Sequence, residues 1–373
     1  MTDFPGTARD DAASFGYDCY AYVGTGMQVG WSLTNDWWRY DALGGTWDAI
    51  DPLPATPRQY CAAHTTTEGG FLFGGIDASG PLSELWFYSF ATGEWSPRAS
   101  LPAPGRYACS AFGAYNELFV VAGLLANASA TNELWEYDIQ GDQWIQRASL
   151  PGVGRHRCAS ASGTRVYLFG GADDQYVPIN EAWEYDRDSD TWAQLASMPE
   201  ARYSGAAISM GQALVYIGGV DDTGTIVPDG FQYISGTDLW VPWPHDLPGQ
   251  RRSGILAKVL PCSGYPCYYY GLGYDGSDRH NDWYALCPGN GLDELVEEPL
   301  VVTPNPASTT LFIAYPNSTL QQVIQLHDEA GRTVASIAGM PSSIDISSLA
   351  PGAYFISMHS TRAHSHTPFI KLP

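Results

Sequence analysis

The stretch Asn132–Trp144, NELWEYDIQGDQW, decides the fold. An aromatic residue, Trp135, stands two before Tyr137, the alternation of a pleated strand. A Gly/Asp turn follows, and Trp144 opens the next strand seven residues after the Tyr. Four relatives of this stretch recur: NDWWRYDALGGTW ending at Trp47, SELWFYSFATGEW ending at Trp95, NEAWEYDRDSDTW ending at Trp192, and DGFQYISGTDLW ending at Trp240. Each keeps the Tyr seven residues before the Trp, at Tyr40, Tyr88, Tyr185 and Tyr233. A sixth, weaker copy, NDWYALC at Asn281–Cys287, lacks both.

Working outward, an apolar run ending in small residues precedes each copy. FLFGG closes on Gly74 and Gly75, YLFGG on Gly170 and Gly171, and VYIGG on Gly218 and Gly219. FVVAG ends at Gly123 and YYYGLG at Gly273, and the first copy departs from the pattern at Gly24–Thr25. Before each run stands an arginine: Arg9, Arg58, Arg106, Arg155, Arg202 and Arg251. A fixed period of this length marks a repeat architecture. Each repeat reads as four short strands, and four-stranded sheets repeated radially make a β-propeller. The Gly pair, the Tyr and the later Trp resemble Kelch repeats over roughly residues 4 to 290. The resemblance implies an all-β fold with a six-bladed Kelch-type propeller at 1–291. The last blade needs a fourth strand, from a linker at 292–298 or from the N-terminus.

From Pro299 the composition shifts to Ser, Thr, Ile and Ala, and Trp is absent. Alternating apolar stretches with Asn, Pro and Gly turns predict a small immunoglobulin-like β-sandwich over 299–373. PNPAS (Pro304–Ser308), the turn Asp328–Arg332, DISSLAPGAYFI (Asp345–Ile356) and the terminal FIK resemble the C-terminal sorting domain of the type IX secretion system of Bacteroidota. The resemblance implies contact with that machinery through 299–373, and a secreted or outer-membrane-surface location.

Charge and composition bound the partners. The formal net charge is −22, and Lys258 and Lys371 are the only lysines. Such a chain repels nucleic acid and anionic lipid, so neither is expected as a partner. No apolar run approaches the ~20 residues of a membrane helix. The polar opening TDFPGTARDD shows no signal-peptide pattern.

GRHRCAS (Gly154–Ser160) looks like an activated thiolate beside cations. In the repeat frame, however, Cys158 shares its slot with Ala12, Cys61, Cys109, Gly205 and Gly254, which reads as a volume limit. Cys262 and Cys267 flank a turn and suit a hairpin disulfide, with Cys287 as a rival partner. No cofactor or metal site is expected.

The arginines are the better lead. The start of each first strand shares a face with the long connection between strands two and three, where binding usually resides. That face is expected to gather Arg9, Arg58, Arg106, Arg155, Arg202 and Arg251 with Arg157, Arg252, Tyr60, Tyr107, His156 and Tyr203. Trp31, Tyr176, Arg279 and His280 fall on the same side. Guanidinium groups suit carboxylates and aromatic faces suit sugars or peptide side chains. The expected function is non-catalytic binding of an extracellular protein or glycan. The alternative is a carbohydrate-active enzyme such as a sialic-acid mutarotase-like epimerase, with His156 or His280 as acid/base.

Overall fold

The computed structural model describes residues 1–113, 116–162, 165–210, 213–259, 267–286, 301–314, 323–328, 332–338, 342–359 and 364–372. It divides into two compact units, Met1–Leu286 and Cys287–Pro373. No described helix is long and apolar enough to cross a membrane.

The first unit is a propeller. Five sheets have four antiparallel strands in chain order, and three strands of the sixth are described. In the third blade they are Ser110–Phe112, Leu118–Val121, Leu134–Asp138 and Gln143–Arg147, from axis to rim. The apolar core lies between neighbouring blades. Phe112, Phe119 and Leu134 of the third blade pack with Val166, Leu168 and Trp183 of the fourth. The second strands are buried on both faces because a blade lies on each side, hence their unbroken apolar runs.

The repeated Tyr and Trp join blade to blade. Tyr137 pairs directly with Trp144 across the outer two strands, and the equivalent rings lie 4.9 to 5.2 Å apart in five blades. Each Trp indole then donates to a carbonyl of the preceding blade's exit segment. The acceptors of Trp95, Trp144, Trp192 and Trp240 are Asp51, Ala99, Ala148 and Ala196, at 2.7 to 3.2 Å. A turn aspartate reinforces the same seam: Asp142 takes the Tyr137 hydroxyl and the Ala99 N–H.

The N-terminal residues serve the sixth blade. Leu53 and Leu150 follow the fourth strands of their blades and exchange hydrogen bonds with Asn35 and Asn132. Phe4 makes the same exchange with Asn281, at 2.8 and 3.2 Å. It also lies edge-on to Trp38 and Trp47, and Trp47 donates to Thr2 O. The chain start thus fills the exit-segment position of the blade that holds Asn281. The candidate closing strand at 292–298 lies outside the described residues.

The glycine pattern has a steric cause. The second residue of each pair has φ between +88° and +106°, at Gly26, Gly75, Gly123, Gly171, Gly219 and Gly273. A Cβ on Gly75, Gly123 or Gly171 would also stand 2.5 to 2.6 Å from the sulfur of Cys61, Cys109 or Cys158. The first residue sits near +60°, which Thr25, Ala122 and Leu272 adopt. The first blade therefore does not depart from the pattern: its pair is Thr25–Gly26, one residue later than Gly24–Thr25.

The second unit has a three-stranded sheet and a four-stranded sheet. Leu311, Ile313 and Ile344 from one, and Ile324, Leu326, Ile356 and Phe369 from the other, share one apolar core.

Candidate functional site

Two residues after each repeat arginine the chain enters the left-handed region. Asp11, Tyr60, Ala108, Arg157, Ser204 and Ser253 all have φ between +51° and +56°. The N–H of each of the last five donates to the carbonyl of its predecessor in the ring, at 2.8 to 3.0 Å. One residue from every blade thus meets at the axis, and the backbone joins them. These six side chains, with the Ala/Cys/Gly slot below, line a cavity of about 190 Å³. Beneath the slot a wider channel of about 760 Å³ runs between the first strands, lined mostly by Ala, Ser, Thr and Gly.

The six repeat arginines stand just outside the ring, turned into the blades. Arg9, Arg58, Arg106, Arg155 and Arg202 are fully buried and Arg251 is nearly so. Each is paired with a carboxylate of its own blade. The contacts to Asp36, Glu84, Glu133, Asp229 and Asp282 measure 2.6 to 3.0 Å, and Arg155 pairs with Glu181. Asp36, Glu84, Glu133 and Glu181 also take the indole N–H two residues on. This corrects the expected arginine ring, because each guanidinium is buried and already held by a carboxylate that a ligand would have to displace. The signal for this role was in the repeat itself. An acid stands four residues before the repeat Tyr in five copies, and Asp282 holds the same place in the sixth.

Arg157, Arg252 and Arg279 behave differently. Arg157 donates to the Tyr60 hydroxyl at 2.7 Å and to Ser204 Oγ at 3.3 Å. Its guanidinium lies over Tyr60, with Tyr176 and Tyr203 within 6.0 Å. No carboxylate among the described residues pairs with it. Arg252 lies over Tyr274, 4.8 Å from the ring centroid, and Arg279 over Trp31 at 4.5 Å. Both approach Asp10, at 3.9 and 2.5 Å. Tyr107 neighbours Tyr60, their centroids 5.9 Å apart. The mouth therefore offers three cations, one of them without a carboxylate partner, among aromatic faces. Trp31 and Tyr176 are 76% and 48% exposed.

Burial shapes the titratable groups here. Desolvation and neighbouring Asp10 raise the Asp11 carboxyl to about 6, against the pull of Arg157 and hydrogen bonds from Ser253 and Tyr60. His156 does not fit the acid/base role expected of it. It is fully buried, its Nε2 lies 3.0 Å from the Asp173 carbonyl, and burial with Arg157 beside it lowers its pKa to about 4. His280 is held by Asp275 at 2.8 Å. The acid/base candidate at the axis is Asp11, which the repeat frame hides because its ring partners share no residue type with it.

Cys61, Cys109 and Cys158 are free thiols at the neck of the channel. Burial pushes each up to about 12, the opposite of an activated thiolate. Cys19 and Cys267 are disulfide-bonded. The expected partners Cys262 and Cys287 lie outside the described residues.

Blade count, Tyr–Trp seams and glycine pairs define a Kelch-type β-propeller, and the tail is a sorting domain of the type IX secretion system. The chain belongs to the Attractin/LZTR1 beta-propeller family, whose pattern matches residues 21–237. Residues 301–371 match the secretion system C-terminal sorting domain. Among solved structures, one described as "Structure of YjhT" is similar, with a TM-score of 0.65 and 16% identity over 76% of this chain and 95% of that one. At that identity the likeness concerns the fold. No curated protein matches the chain. The protein is an exported propeller, carried to the cell surface or beyond by its tail.

Proposed function

We propose that the propeller is a non-catalytic binding module that captures an extracellular protein or glycan at the axial mouth. The observation that carries this reading is Arg157. It is a guanidinium with no carboxylate partner among the described residues, held between Tyr60, Tyr176 and Tyr203 on a chain of net charge −22. Evenly acidic surfaces repel acidic ligands, and a local cluster of cations reverses the field at one place. Arg252, Arg279, Trp31 and Tyr274 widen that place toward the seam of the first and sixth blades. A glycan and peptide array probed with the full chain and with an Arg157→Gln/Arg252→Gln variant tests this. Binding lost in the variant, with an unchanged melting temperature, supports the mouth. Equal binding by both proteins removes it.

A second reading, carbohydrate chemistry at the same mouth, is favoured by Asp11, whose carboxyl titrates near 6 beside a phenol and a guanidinium. Proton NMR of sialic acid incubated with the protein separates the two. Faster interchange of anomers, lost in Asp11→Asn, favours the enzyme, and an unchanged rate favours the binding module.

A further inference from the structure

We propose that the axial cavity is a subsite for the carboxylate of an acidic glycan, and that filling it takes up one proton on Asp11. This rests on the reading of the mouth as a ligand site and adds the class of ligand and its coupling to pH.

Asp11 and Arg157 line the same cavity of about 190 Å³, yet no ion pair joins them. Asp11 is 94% buried, and its Oδ1 accepts no hydrogen bond from the described residues. Arg157 Nε likewise donates to none of them. Leaving Asp11 Oδ1 and Arg157 Nε buried without partners costs free energy, which a polar guest would recover. The unpartnered Arg157 Nε suits a carboxylate, and the sugar ring that carries it lies toward the aromatic rim. One carboxylate oxygen meets Arg157 Nε. The other meets Asp11, and two carboxylates in contact can share that space only if one carries a proton. Bound ligand therefore holds Asp11 as the neutral acid, donating its O–H to the guest, with the proton drawn from solvent.

The groups facing Asp11 are Asp10, Arg157, Tyr60 and Ser253. Arg252 and Arg279 are turned to Asp10, and His280 to Asp275. A glycan fits better than an acidic peptide. An extended peptide needs free backbone partners, and the ring amides of Tyr60, Ala108, Arg157, Ser204 and Ser253 are already spent between blades. The exposed faces of Trp31 and Tyr176 need only the C–H face of a sugar.

The test is isothermal titration calorimetry of the full chain with glucuronic acid, glucose and penta-glutamate. It is run from pH 5 to pH 8.5 in two buffers of different ionisation heat. Glucuronic acid is expected to bind with uptake of about one proton near pH 7. Its affinity should be flat below pH 6 and fall up to about tenfold per pH unit above it. Asp11→Asn should bind with no proton uptake and no slope, while Arg157→Gln loses at least tenfold at every pH. Melting curves confirm that both variants fold, and Asp11→Ser serves if the Asn variant does not. Binding without proton uptake, a slope that survives in Asp11→Asn, or preference for glucose or penta-glutamate overturns the inference while leaving the mouth as a ligand site. Binding of none of the three, together with an array result indifferent to Arg157, overturns the ligand site itself.

Discussion

Arg157 reaches past a whole blade to Tyr60. Its Nη2 lies 2.7 Å from the phenol oxygen, although 97 residues separate the two in sequence. The residue at the ring position between them is Ala108, whose methyl leaves the path open. A larger side chain there would stand in that path. Ala108→Leu is expected to displace Arg157 and weaken ligand capture at least tenfold with a folded propeller, measured by the array signal and a melting curve. Unchanged capture would show that the Arg157–Tyr60 contact does not shape the mouth.

The glycine pairs predict an asymmetry. Gly171 has φ +100°, and a Cβ there would meet Cys158 Sγ at 2.6 Å and the His156 carbonyl at 2.8 Å. Gly171→Ala is expected to destabilise the propeller by about 2–3 kcal/mol, from strain and overpacking together. Ala122→Gly, at the first position of its pair, should change stability by less than about 1 kcal/mol. Urea denaturation of the two variants checks both.

Phe4 joins the first blade to the sixth. It is fully buried and its backbone pairs with Asn281. Phe4→Ala is expected to cost about 3–5 kcal/mol. Hydrogen exchange should show the loss spread over the seam between Asn281 and Trp47. Loss confined to the first few residues would mean that they do not close the ring.

Much of this was legible in the sequence, and the reason is repetition. A single Trp144 says little, but five Trp residues each seven after a Tyr fix strand, turn and blade count together. The arginines mislead because a repeat shows that a residue is required without showing where it points. Six arginines on one face suggested a ring, whereas the six acids that neutralise them lie one strand pair later. The mouth was only half legible for the opposite reason. Asp11, Tyr60, Ala108, Arg157, Ser204 and Ser253 share a backbone conformation and no chemistry, so no residue pattern marks them. Tyr60 and Arg157 stood out by type, while Asp11 did not, because its raised pKa comes from burial and from Asp10.

The Asp11 carboxyl gives a pH-dependent stability term of known sign. Its pKa is about 6 in the fold against 3.8 unfolded, so the ionised fold is penalised. The penalty is complete above pH 6, about 3 kcal/mol, and fades as the pH falls toward 4. Asp11→Asn should therefore raise stability at pH 7.5 by about 1–3 kcal/mol, with the gain shrinking below pH 6 and gone below about pH 4. Burial lowers His64 and His156 to about 4, which acts in the other direction. The fold loses stability as the pH falls from 6.5 to 4, because the unfolded chain takes up those protons first. Guanidinium titrations of both proteins at pH 7.5 and 5 separate the Asp11 contribution, since the histidines are common to both.

The most direct test of the account compares two arginines of the same face by affinity and stability together. Arg106 is buried against Glu133, and Arg157 opens on the axial cavity. The acidic glycan or peptide captured on the array is titrated against Arg106→Gln and Arg157→Gln. Arg106→Gln is expected to lose about 1.5–3 kcal/mol of stability and to keep its affinity. Arg157→Gln should keep its stability within about 1 kcal/mol and lose at least tenfold in affinity. Equal affinities in the two variants, or the loss falling on Arg106→Gln alone, would contradict it.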